Sequence, residues 1–82
     1  MHTIFIDGNR YATARELHLA LKAMLKLPEH YGCNADALYD CLSERDEAVT
    51  LTILSPGEGE TADALRKCTR VIRDLGGQVN LL

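Results

Sequence analysis

Three short apolar runs, at His2–Ile6 (HTIFI), Val49–Leu54 (VTLTIL) and Gln78–Leu82 (QVNLL), are kept apart by helix-patterned stretches, and this spacing decides the fold class. Strands joined through helices cannot pair as hairpins. They need crossover connections, which place neighbouring strands parallel. The order β, α, α, β, α, β therefore predicts an α/β domain built on a small three-stranded parallel sheet with helices packed against it. The middle run is apolar enough to be buried on both faces, as the central strand of such a sheet would be.

The helices carry their own signals. Thr13-x-x-Glu16 is a capping box, and Ala14, Leu17, Leu21, Met24 and Leu25 then fall on one side of a helix that must end before Pro28. A loop over Leu27–Gly32 leads to Asn34, a favourable N-cap, and a second helix that fades around Glu44–Glu47. Ser55-Pro56-Gly57-Glu58-Gly59 reads as a loop, with Thr61 as the expected cap of a third helix whose apolar stripe is Leu65, Cys68, Ile72 and Leu75. Arg66, Lys67, Arg70 and Arg73 face solvent in this reading, and Gly76-Gly77 stops the helix.

Eighty-two residues make one domain, 1–82, and leave no room for a second. No apolar run approaches the roughly 18 residues of a membrane span. The opening MHTIFIDGNR has no basic region followed by an apolar core, so a cytoplasmic location is expected. Cys33, Cys41 and Cys68 are odd in number and unpaired in spacing, which suits reduced thiols. With His2, His18 and His30 scattered, no metal site and no cofactor are expected. A phosphate cradle is likewise absent from the expectation, because Gly57-x-Gly59 lacks a third glycine and any Lys-Ser/Thr.

The net charge of −3 conceals a separation: residues 27–60 hold eight acids and one base, a charge of −7, whereas the rest of the chain carries +4. A local field this negative repels phosphate backbones and attracts cationic proteins, so direct nucleic-acid binding is not expected. On the second helix Leu38, Cys41 and Leu42 share one side. Asp36, Tyr39, Asp40 and Ser43 sit at i, i+3, i+4 and i+7 on the other. Asp36 is favoured by the positive end of the helix dipole, but Asp40 gains nothing from it and has no basic partner at i±4. A recognition role explains Asp40 better than catalysis, since paired catalytic carboxylates need a cleft that separates their pKa values. Tyr31 reads as a core or rim residue with its hydroxyl near water.

The stretch Leu27–Leu42, LPEHYGCNADALYDCL, resembles the barstar family of bacterial ribonuclease inhibitors, and the order of elements extends the likeness over the whole chain. The resemblance implies a non-enzymatic protein that blocks barnase-like ribonucleases inside the producing cell. It implies that Asp40 occupies the enzyme's phosphate pocket, with Asp36 as a second contact. His30, Asn34, Ala35, Tyr39, Ser43 and Glu44 fall on further family contact positions. The expected partner is an extracellular-type ribonuclease or related nuclease toxin with a cationic active site, bound by a monomer or weak homodimer. A non-inhibitory acidic interaction or oligomerisation module with the same fold is the alternative. Relative to the family, His30 stands for a tyrosine, Tyr39 and Arg45 for tryptophans, and Ala35 for a leucine.

Overall fold

A computed structural model describes residues 2–82. β1 (His2–Asp7) leads through a 3-10 turn (Gly8–Arg10) to α1 (Ala14–Leu25) and α2 (Ala35–Ser43); β2 (Val49–Ser55), α3 (Gly59–Asp74) and β3 (Gln78–Leu81) follow. The strands form one parallel sheet in the order β1-β2-β3, as the spacing of the apolar runs predicts. Ile4 stands opposite Leu51, Ile6 opposite Ile53, and Leu51 also opposite Val79, so these residues line one face. The core is gathered between that face and the helices, with Leu17, Leu21, Leu25, Leu38, Leu65, Cys68 and Ile72 sealed from solvent or nearly so. β2 is buried from Val49 to Ile53, Thr50 and Thr52 included, but Leu54 at its end is exposed.

The ends of the helices follow from local chemistry. Thr13 Oγ1 accepts from Glu16 N (3.1 Å), the forward half of a capping box, and Glu16 Oε1 reaches one residue past the cap to accept from Ala12 N (3.3 Å). Lys26 ends α1 in the left-handed region (φ 53°). Gly76, at φ 85°, ends α3 in a Schellman arrangement in which Gly77 N–H reaches Ile72 O (2.8 Å) and Gly76 N–H reaches Arg73 O (3.0 Å). Gly8 packs so tightly that an added Cβ would lie 2.5 Å from the Pro56 carbonyl carbon.

One expectation is corrected. Thr61 does not cap α3, which begins two residues earlier with Glu58 as an N-cap that makes no side-chain hydrogen bond. Thr61 is instead buried, and its hydroxyl donates to Tyr11 O at 2.9 Å, tying the first turn of α3 to the segment before α1. A buried hydroxyl needs such a partner, and this one lies fifty residues away in sequence.

Candidate functional site

The second helix is short, and polar tethers as well as packing hold it in place. Asn34 Oδ1 accepts from Ala37 N at 2.7 Å, so the predicted N-cap is present. Leu38 and Leu42 are the two α2 side chains fully inside the core; Cys41 is only half-buried. Burial raises the Cys41 thiol pKa, and the neighbouring Glu44 charge adds to the rise. Ala35 is half-buried against the core, which limits what it can offer to a partner.

The loop before α2 is clamped from within. Tyr31 is buried, and its hydroxyl lies 2.7 Å from Nδ1 of the buried His18 and donates towards Asn34 O at 3.5 Å. Burial keeps the Tyr31 hydroxyl protonated and pushes the His18 pKa below its ordinary value. On the far side of the imidazole, Cys68 Sγ lies 4.0 Å from Nε2, with its own thiol pKa pushed up to about 12 by burial. Lys22 holds the same loop from outside, at 3.5 Å from Glu29 Oε2 and 3.4 Å from Glu29 O. At the other end of α2 the Arg45 guanidinium donates to Lys26 O (3.1 Å), joining the helix's C-terminal end to that of α1.

What these tethers position is a row of carboxylates. Asp36, Asp40 and Glu44 recur every fourth residue and all are exposed, beside an exposed Tyr39 (44%). Among the described residues no ion pair engages any of the three. Asp36 sits in the first turn, where the dipole favours it, but Asp40 and Glu44 approach the negative end, and no basic residue occupies the last turn. Ser43 Oγ donates back to the Asp40 backbone carbonyl (3.0 Å), and the Asp40 side chain is exposed. A groove of about 410 Å³, lined by Pro28, His30, Asp40, Cys41, Glu44 and Arg45, runs beside this row.

Of the sequence-predicted site residues, His30, Asp40 and Glu44 thus share the groove, while Asn34, Asp36, Tyr39 and Ser43 are exposed along the helix beside it. Pro28 and Arg45 were not predicted to border it. Arg45 had a signal, being the single base in the acidic stretch; Pro28 had none. His18 also escaped prediction, although Ala14, His18, Leu21 and Leu25 share the helical spacing of an inward row. Among the described residues no group of three or more His, Cys, Asp or Glu side chains is placed to hold a metal ion, and no helix is long and apolar enough to cross a membrane.

Comparison with known proteins matches this arrangement to one family. A curated protein of Bacillus subtilis (strain 168), named "Putative ribonuclease inhibitor YrdF", is 46% identical over 43 residues, a stretch that covers 52% of this chain and 47% of that protein. The sequence model of the family described as "Barstar (barnase inhibitor)" matches residues 1–80. The chain, with its three-stranded parallel sheet and tethered acidic helix, belongs to the barstar family.

Proposed function

We propose that the protein inhibits a barnase-like ribonuclease by seating α2 and its preceding loop over the enzyme's active site, with the Asp40 carboxylate in place of a substrate phosphate. The observation that carries this reading is the unpaired row Asp36–Asp40–Glu44. Like charges at i, i+4 destabilise a helix, and two of these also oppose its dipole. The dipole offsets this for Asp36, but no ion pair among the described residues does so for Asp40 and Glu44, so we read their benefit in a partner that supplies the missing cations. An active site that binds phosphate holds arginine, lysine or histidine donors, and a fixed carboxylate can accept charge-assisted hydrogen bonds from them. Family membership and the name of the Bacillus subtilis relative support the same partner class.

Each residue then has a role in binding, and the protein performs no chemistry of its own. Asp40 is the central anion and Asp36 a second one nearer the helix start. Tyr39 offers a flat amphipathic ring between them, the residue type that anchors interface centres. Asn34, Ala35, Ser43 and Glu44 complete the helix edge, and His30 reaches from the loop. A stable complex of this kind buries about 1,600 Å² in total. The clamp of His18 on Tyr31 supports the mechanism, because a loop already held in place loses little entropy on binding.

Competition tests the reading. With a barnase-like ribonuclease, inhibition is expected to weaken in proportion as a mononucleotide carrying a 3′-phosphate fills the active site. If enzyme, nucleotide and inhibitor form a ternary complex with undiminished affinity, the phosphate pocket is not where Asp40 binds.

A further inference from the structure

A second groove, of about 280 Å³, lies between α3 and β3. Its accessible apolar surface comes from Val79 and Leu81, above the buried Ile53 and Leu65, and Arg66 and Arg73 stand at its border. β3 is an edge strand by sheet order. Leu82 N–H donates to Ile53 O at 3.0 Å. In a parallel ladder one residue turns both backbone groups to the same neighbour and the next residue turns them away, so the N–H and C=O of Val79 and Leu81 face the open side. Their side chains stand in register with Leu51 and Ile53, on the helix side. The residues that offer free backbone groups are therefore the ones that line the groove, and Leu81 is 70% exposed.

Edge strands are commonly protected by lysine, proline or an inward charge, and Gln78–Leu82 has none of these. The charge beside the strand lies on α3. Arg66 is paired with Asp63, while no ion pair among the described residues engages Arg73. Two copies meeting through β3 about a two-fold axis would bring together their Arg66–Arg73 stretches, which hold four bases and no acid, and this opposes self-pairing.

We propose that this edge receives an extended acidic segment of another protein, added as a fourth strand beside β3. Seven residues along a helix separate Arg66 from Arg73 by about 10.5 Å, and residues i and i+4 of a strand stand about 13 Å apart, a match within side-chain reach. The fitting pattern places two glutamates at that spacing with an apolar residue midway, on Val79 and Leu81. This site is separate from the acidic face and does not depend on ribonuclease inhibition.

The probe is a blocked peptide, Thr-Glu-Thr-Val-Thr-Glu-Thr, titrated into the full chain and followed by amide NMR. Saturable shifts and slowed exchange are expected at the Val79 and Leu81 amides, with a Kd below about 1 mM, a free energy of roughly −4 kcal/mol. Replacing both glutamates by lysine abolishes binding, Arg73→Glu weakens it at least about fivefold, and Asp40→Ala leaves it unchanged. The proposal is overturned if the shifts fail to saturate or centre on α2. It is equally overturned if the lysine peptide binds as well, if Arg73→Glu has no effect, or if the mass doubles with concentration because a second copy already occupies the edge.

Discussion

α2 and α3 are opposite solutions to the same problem of presenting a charged surface. α3 runs for sixteen residues, buries six of them and needs no side-chain cap. α2 runs for nine, buries two, and relies on the Asn34 cap, the Tyr31–His18 clamp and the Arg45 link to α1. Most helical stability comes from packing, so the basic helix is fixed by the core, whereas the acidic one has two core anchors and needs a few polar contacts besides to hold it against its own electrostatics. The region whose charges cost the fold most is thus the region most tethered. Such a conflict between local stability and fixed placement is what the proposed inhibitory face would require.

The contrast breaks first at the apolar anchor. Leu38→Ala removes one of the two α2 side chains in the core and is expected to cost about 2–5 kcal/mol in urea unfolding, with ribonuclease inhibition falling as α2 loosens. A cost below that range would mean that the tethers, not packing, carry the helix. Next comes Tyr31→Phe, which keeps the ring and takes the hydroxyl from between His18 and Asn34. Stranding a buried imidazole nitrogen costs about 1–3 kcal/mol, and hydrogen exchange should quicken at the α2 amides before those of α3.

Acid titration sharpens the same point. Burial lowers the His18 pKa, so the unfolded chain takes up a proton below about pH 6.5 that the folded chain resists. Stability contributed by neutral His18 is complete above that pH and is lost on acidification towards the folded pKa. The slope is at most one proton, about 1.4 kcal/mol per pH unit. Comparing wild type with His18→Gln isolates this part, and identical pH profiles would show that the clamp is not titrating. The smallest effect belongs to α3: Arg70→Ala, on an exposed position, should change stability by no more than about 0.5 kcal/mol and leave inhibition intact.

Much of this was readable in the chain. The crossover order gave the sheet, the capping box the start of α1, and Asn34 the start of α2, because each rests on contacts within a few residues. The start of α3 was misplaced because Thr61 has the chemistry of a cap but is claimed by Tyr11 O, a partner distant in sequence. The outward set Asp36, Tyr39, Asp40 and Ser43 followed from helical spacing alone. The groove did not, since it depends on where Pro28 and Arg45 come to lie relative to Asp40, and a guanidinium bound to the Lys26 carbonyl leaves no local trace.

The central claim concerns one negative charge in a fixed place, and Asp40→Asn changes that charge while keeping the side chain's shape. Measured against a barnase-like ribonuclease, loss of a hydrogen-bonded interface charge is expected to cost about 2–5 kcal/mol, mostly as faster dissociation, a range to which the barnase–barstar pair itself contributed. That corresponds to a Kd raised about 30-fold or more. An Asp40→Asn variant that binds and dissociates like the wild type would contradict the account.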